Sequence, residues 1–583
     1  MNYLLIAINA KYIHSNLGIY CLKAYADQEL EGCKPRISIG EYTINHSRQW
    51  ILADIYEKNP DVVGFSCYIW NIEYVTCLLQ DLPKILPNTR IWLGGPEVSY
   101  NGPELLRKFP QVTGIMIGEG EEAFAGLIRH YQQETAEKGK EETGFENIPG
   151  IVYRLPQSLG GEIRMNPGLP PMDLNRLPFP YKDLKKEAFA HRILYYESSR
   201  GCPYSCSYCL SSIERTVRFR DLDLVKQELQ FFLDRKVDQV KFVDRTFNCR
   251  KSHALEIWSY ILEHDNGVTN FHFEIAADCL NEEAVALLEK MRPGLIQLEI
   301  GIQSTNPETI TAIRRTMDLE KVERMVAKVR AGRNIHQHLD LIAGLPFEGF
   351  ERFCHSFDQV YRMKPDQLQL GFLKVLKGSY MEEQKETYDL LAGELPPYEV
   401  LSTRWLSFQD VLKLKQIEEM VEIYYNSGQF AQTIEYLETL FSRPIQLFEA
   451  LAHWYKSQNL SEIGHSRQAR YEIVFQWIKT QFPQETERVR DTLTVDLYLR
   501  ENAKSRPVFA RDLSKWRDPF RRFYQTEQKT WQFLKGYEGF DSKQLANMTH
   551  IEVLSDETAF LFDYKNRDPL SHNASMFAIC LPG

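Results

Sequence analysis

Two series of short apolar runs alternating with amphipathic stretches, divided by a proline-rich break, constrain this chain more than any other feature. From Asn2 to about residue 131 the runs are "YLLIAIN", "DVVGFSCYI", "IWLGG" and "GIMIG". Near-continuous apolar strands with helical segments between them are the pattern of an open parallel sheet covered on both faces. A Rossmann-like domain is therefore expected over residues 1–140. Charged, glycine-containing sequence follows, and "NPGLPPMDLNRLPFPY" at 166–181 carries five prolines, so 141–189 reads as a linker. A second series opens at "ILYYESSRG" (193–201), with strands expected at 239–244, 271–276, 296–303, 338–343 and 368–373. Six such units make a partial (β/α)6 barrel or an open arc of one, over 190–390. Beyond 395 the strand signal fades. A mostly helical domain over 395–583 is expected, with a helix break at Ser427-Gly428 and a mixed tail. The fold class is α/β, and 583 residues exceed what one core organises.

Composition excludes little: 43% apolar and 25% charged residues are ordinary for a globular protein, which removes disordered and fibrous classes. The first twenty residues lack a basic n-region, and no apolar run approaches the roughly 20 residues that span a bilayer. A cytoplasmic protein is expected, in which the 11 cysteines serve metal or redox chemistry instead of disulfides. A net charge of −10 argues against nucleic acid as a partner. One local exception is Ala510 to Tyr537, where seven Lys and Arg stand against three acids with Trp516, Phe520, Phe523, Tyr524 and Trp531 interleaved. An amphipathic helix with its aromatics in a core is the expected form of that stretch, and no β-rich appendage is expected after the second series.

Within the second series, "SSRGCPYSCSYCLSS" places Cys202, Cys206 and Cys209 directly after the first strand, and no fourth cysteine follows at comparable spacing. Structural zinc needs four ligands, and electron-transfer clusters close all four corners with cysteine. Three thiolates can hold three irons of a 4Fe–4S cube and leave one iron open to a substrate or cofactor. Strand ends of a βα series are also where such folds place their chemistry.

This spacing resembles the radical S-adenosylmethionine enzymes, whose open iron binds the amino and carboxylate groups of that cofactor. The resemblance extends to Tyr208, the aromatic before the third cysteine, expected near the adenine. In "VDRTFN", Asp244 and Asn248 stand where the family holds the substrate amino group. Glu274 and Asp278 in "EIAAD", and Glu299, Gln303 and Ser304 in "EIGIQS", resemble ribose and carboxylate contacts. Arg315 in "IRRT" is similar to the carboxylate-binding arginine, with Arg314 as its alternative, and Gly344 in "LIAGLPFE" to the glycine over the adenine. "GFSCYIWN", "WLGGPEVS" and "GIMIGEGEEAF" resemble the cobalamin-binding domain of one branch, implying contacts at Ser66, Gly94, Gly95, Gly118 and Gly120, while Glu119 and Glu121 favour a helix N-terminus. "KYIHSNLG" departs from the D-x-H-x-x-G of domains in which histidine ligates cobalt, so His14 is expected not to do so.

The resemblance covers about residues 1–390 and implies three cofactors: a 4Fe–4S cluster, S-adenosylmethionine and cobalamin. It implies reductive cleavage to a 5′-deoxyadenosyl radical and methylation of an unactivated carbon in a small-molecule, natural-product-like substrate, with flavodoxin or ferredoxin as electron donor. Alternatives are oxidative cyclisation, as in the anaerobic porphyrin-ester cyclase branch, RNA modification, and a non-catalytic cobalamin or redox sensor. No catalytic residue is assigned. Geometrically, Ser66, Gly94 and Gly118 should face Cys202 to Cys209 across one cavity, with Gln303, Ser304 and Arg315 on its wall and the C-terminal third flanking its mouth.

Overall fold

The computed structural model describes residues 1–582 apart from 33, 137–144, 156–159, 186, 188–189 and 462. Strands β1 (Asn2–Asn9), β2 (Arg36–Thr43), β3 (Val62–Ser66), β4 (Arg90–Gly94), β5 (Gly114–Met116), β6 (Ile151–Arg154) and β7 (Ile163–Met165) form one sheet in the order β2-β1-β3-β4-β5-β6-β7. The first five are parallel. Their unbroken apolar runs follow from burial on both faces: Leu5 and Ala7 of β1 enter one core, and Leu4, Ile6 and Ile8 the other. Strand order reverses between β1 and β3, the crevice where open α/β sheets bind ligands.

β6 and β7 correct the reading of 141–189 as a linker. Both run antiparallel and extend the first sheet past residue 160, with Met116 opposite Ile151 and Val152 opposite Met165. Ile151, Val152 and Tyr153 are fully buried there. A run this short between glycine and proline carries no periodicity of its own, so only the free edge of β5 makes it a strand. The expected boundary at 140 lies outside the described residues.

The second sheet contains β8 (Ile193–Tyr196). After the short strands β9 (Ser199–Arg200) and β10 (Arg218–Phe219), which pair with each other, come β11 (Gln239–Phe242), β12 (Asn270–Ile275), β13 (Ile296–Gln303), β14 (His336–Ala343) and β15 (Gln367–Phe372). Six strands lie parallel in chain order, β8-β11-β12-β13-β14-β15, with β8 and β15 as the two edges of an open sheet. Alternate residues such as Val240, Phe273, Leu298 and Leu339 pack under the flanking helices. The opposite face carries a polar band in which Lys241 and His272 lie 3.0 and 2.9 Å from Glu299, and His338 lies 3.0 Å from Asp340.

A hairpin of β16 (Leu391–Ala392) and β17 (Val400–Ser402) packs its Val400 with Leu373 and Val375, just past β15. The helix Phe408–Met420 continues as π-helix to Asn426 and stops at Ser427-Gly428, where Gly428 takes φ +62°. Helices of the last third share a core with the outer helix Phe350–Arg362, as the 5.9 Å Phe357–Phe448 ring contact shows. The chain then forms a three-stranded antiparallel sheet, β18 (Thr549–Val553), β19 (Ala559–Arg567) and β20 (Ala574–Ile579), correcting the expectation that nothing β-rich follows. Phe523 and Tyr524 are buried against it, with Trp516, Phe520 and Trp531 packed alongside. Those aromatics stabilise the tail. Among the described residues, no helix is long and apolar enough to cross a membrane.

The two large sheets meet directly. The loop after β1 lies along the β8 edge: Ile193 N–H donates to the Ile13 carbonyl at 2.6 Å, and the Ser15 hydroxyl to the Ile193 carbonyl at 3.0 Å.

Candidate functional site

Across that junction, the carboxyl ends of β1, β3, β4 and β5 face those of β8, β11 and β12 over one cavity of about 840 Å³. All five residues expected to contact cobalamin, Ser66, Gly94, Gly95, Gly118 and Gly120, line it. Asn71, fully buried, donates to the Ser66 and Ile8 carbonyls at 2.9 and 3.0 Å, tying together the two strand ends at the switch point. Gly95 takes φ +110° and stands where a Cβ would meet the Cys67 carbonyl oxygen at 2.5 Å, so only glycine fits. Tyr68 and Trp70 stack with ring centroids 4.4 Å apart and add an aromatic patch to this wall.

The facing wall includes Glu197, Arg200, Gly201, Ser211, Lys241, Arg245 and Glu274. Cys202 and Cys206 are buried and Cys209 half-buried in the loop that follows; contrary to expectation none of the three lines the cavity, which their neighbours Gly201 and Ser211 do reach. Cys202 Sγ lies 3.7 Å from Thr246 Oγ1, and Cys206 Sγ 3.7 Å from a terminal nitrogen of Arg315. Among the described residues, no three His, Cys, Asp or Glu side chains converge as metal ligands; the loop gathers the cysteines without closing their thiols on one point. Burial raises the Cys206 thiol pKa, and Arg315 partly offsets that.

Arg315 also donates to Tyr208 Oη at 3.4 Å and to the Gly301 carbonyl. Among the described residues, its Nε and Gln303 Oε1 are buried without a partner. Gln303 ends β13 at φ +72° beside a register shift, a backbone position that side chains rarely adopt. Gly344 ends β14 at φ +89° with Val400 closed against it. Three thiols on one loop, beside a buried guanidinium and two orphaned polar atoms, suit an iron–sulfur cluster with an organic ligand at its open corner.

Other expected contacts turn away. Asp244 is completely buried and accepts from Ser198 N–H (3.0 Å), Ser198 Oγ (2.7 Å) and Ser199 Oγ (2.6 Å). Burial lifts its carboxyl to about 6 against the pull of those bonds. It braces the strand leading into the cysteine loop. Asn248 exchanges two hydrogen bonds with the Ala276 backbone, at 2.8 and 2.9 Å. Ser304 is buried and donates to Glu348 at 2.7 Å. Ser304, Gln303 and Arg315 are not on the wall of the shared cavity, contrary to expectation; β13 lies beyond β12, one strand further from the β8 edge. Glu274 alone of the expected S-adenosylmethionine contacts lines it. Asp278 accepts from Asp318 N–H, and Arg314 lies 3.4 Å over the Tyr380 ring. The C-terminal third does not reach the cavity either; it packs on the outer helix.

Several residues escaped sequence reasoning. Arg200, two residues before Cys202, binds Glu197 (2.8 Å), Glu121 (2.9 Å) and Glu119 (3.3 Å), and Arg218 binds Glu119 again. The "GEGEE" turn of the first sheet is thereby latched to the cysteine loop. Glu97, buried, accepts from Lys377 at 3.0 Å and from Tyr398, joining the other side of the interface. The available signal was charge at strand ends flanking the motifs. His14, at the junction, shares a 2.8 Å hydrogen bond from its Nδ1 with Tyr195.

Residues 3–128 match the B12 binding domain family, 196–360 the radical SAM superfamily and 386–569 a protein family of unknown function, DUF4080. The 2-(S-pantetheinyl)-carbapenam-3-carboxylate methyltransferase of Streptantibioticus cattleyicolor is 25% identical over 362 residues, covering 57% of this chain and 49% of that protein. An anaerobic magnesium-protoporphyrin IX monomethyl ester cyclase of Rubrivivax gelatinosus is 24% identical over 340 residues, covering 57% and 58%. The chain thus spans about half the length of these curated relatives. The solved structure of OxsB, a cobalamin-dependent S-adenosylmethionine radical enzyme, superposes at TM-score 0.58 and 16% identity over 85% of this chain and 78% of that one, a likeness of fold. The chain therefore carries a B12-binding domain followed by a radical SAM domain, and these imply a 4Fe–4S cluster, S-adenosylmethionine and cobalamin as its cofactors.

Proposed function

We propose that this chain is a cobalamin-dependent radical S-adenosylmethionine enzyme that methylates an unactivated carbon of a small molecule. The observation that carries the reading is the single cavity between the glycine-rich edge of the first sheet and the strand ends around the cysteine loop. When bound, the reduced cluster and S-adenosylmethionine supply a 5′-deoxyadenosyl radical, and cobalamin supplies the methyl group. The residues here bind, orient and shield. Cys202, Cys206 and Cys209 would hold the cluster, and Tyr208, Gln303, Arg315 and Gly344 would contact S-adenosylmethionine. Asp244, Asn248 and Ser304 position the loops that carry those contacts, and Arg200 with Glu119 and Glu121 holds the two walls in register. A low-potential donor such as flavodoxin or ferredoxin reduces the cluster.

Anaerobic reconstitution tests this: about four irons and four sulfides per chain are expected. Replacing any of Cys202, Cys206 or Cys209 by Ala should abolish iron binding, whereas Cys249, Cys279, Cys354 and Cys580 should be dispensable. Zinc in place of iron, or a requirement for one of the latter four, refutes the assignment. Oxidative ring closure is the second reading, favoured by the cyclase relative. Mass analysis of the product separates a gain of CH2 from a loss of hydrogen.

A further inference from the structure

We infer that Arg245 anchors an anionic oxygen group, a carboxylate or phosphate, of the substrate held in the shared cavity. The inference rests on the proposed function for the identity of the cavity and adds a substrate class to it.

The cations on the cavity wall are otherwise accounted for. Arg200 is neutralised by three carboxylates, Arg218 by Glu119 and Lys241 by Glu299. Arg245 lines the same cavity with its side chain exposed, and among the described residues no hydrogen bond or ion pair engages its guanidinium. A guanidinium offers five donors in a planar fork that matches carboxylate and phosphate oxygens.

The backbone that carries Arg245 is well braced. On one side Asp244 is held by Ser198 and Ser199; on the other, Thr246 touches Cys202 and Asn248 is bonded to Ala276. An anion at Arg245 therefore sits beside the cysteine loop, between it and the glycine-rich edge. The Tyr68–Trp70 stack, on the opposite wall, offers a flat surface for the apolar body of the same molecule. Glu274, on the neighbouring strand, faces the cavity and, among the described residues, its side chain makes no hydrogen bond.

The test uses the full-length protein with cluster and hydroxocobalamin bound, and labelled benzoate as probe against benzamide, its neutral isostere, in equilibrium dialysis. Benzoate should bind, and Arg245→Gln should weaken it about tenfold, the loss of one charge-assisted contact, while benzamide is unaffected. Arg245→Lys should recover part of the binding. Affinity for S-adenosylmethionine and corrinoid content should stay unchanged in Arg245→Gln. Equal benzoate binding by wild type and Arg245→Gln overturns the inference. So does loss of S-adenosylmethionine affinity or of corrinoid in the variant, which would assign the anion to that cofactor's carboxylate or to the cobalamin phosphate. If the substituted protein does not fold, phenylglyoxal labelling of the wild type decides: benzoate should protect Arg245 in peptide mass spectra, and unprotected labelling overturns the proposal. Should the wild type bind neither iron nor corrinoid while benzoate binding still depends on Arg245, the proposed function fails and the anion site stands.

Discussion

Glu274 shows how one position can be readable in type and unreadable in behaviour. The strand "FHFEI" foretells a polar residue on one face of β12, but its chemistry depends on neighbours from other strands. Burial raises its carboxyl to about 7; Arg245 and Lys241 pull it down, and Glu299 and Asp340 push it up. Glu299, one strand over, is held at about 2 despite burial, because His272 and Lys241 both bond to it. The raised Glu274 favours its protonated form when folded, so its contribution to stability is full below about pH 4.5 and is lost as pH rises through about 7. Glu274→Gln should gain melting temperature relative to wild type between about pH 5 and about pH 8. Parallel melting curves across that range would refute the assignment.

At the scale of elements, β1, β3, β4 and β5 of the first sheet and the six strands of the second were legible because apolar periodicity is local, whereas β2 was not read. β11 to β15 fall within one or two residues of their expected positions. Elements that exist only through partners were not legible: β6 needs the β5 edge, and the tail sheet needs the helix Arg517–Thr530 to cover it. The docking of the last third is another such case. Asp358 on the outer helix, almost fully buried, accepts from Arg443 Nε at 2.6 Å and from Ile445 N–H at 3.0 Å, so it caps the helix Pro444–Ser457 from a different domain. Asp358→Ala takes the acceptor from the helix end and leaves Arg443 only its 3.5 Å pair with exposed Glu351, and should cost about 3 kcal/mol in urea unfolding. A change below about 0.5 kcal/mol would show the contact to be incidental.

For the whole molecule, one continuous core runs from the second sheet through its outer helix into the C-terminal helices. A chain ending after β17 would expose Phe353, Phe357 and Tyr361, all buried now. The radical domain and the C-terminal helices should therefore unfold together in calorimetry, and truncation at residue 402 should lower the melting temperature or abolish soluble expression. Two well-separated transitions, with the truncated protein melting as the intact one does, would mean that the shared core is not cooperative.

The amino-acid order alone determined the α/β class, the two βα series, the cysteine loop at the end of the first strand of the second, and the glycine-rich ends of the first sheet. These are local features: a period, a spacing, a residue type at a strand end. Tertiary structure alone decided that the glycine-rich edge and the strand ends around the cysteine loop share one cavity, that Asp244, Asn248 and Ser304 brace loops instead of lining it, and that Arg200 is ion-paired while, among the described residues, Arg245 makes no hydrogen bond or ion pair. The physical reason is that hydrogen-bond satisfaction and charge pairing are settled between residues tens to hundreds of positions apart. A motif states which groups are present, and only packing states which of them remain unpaired and open to a ligand.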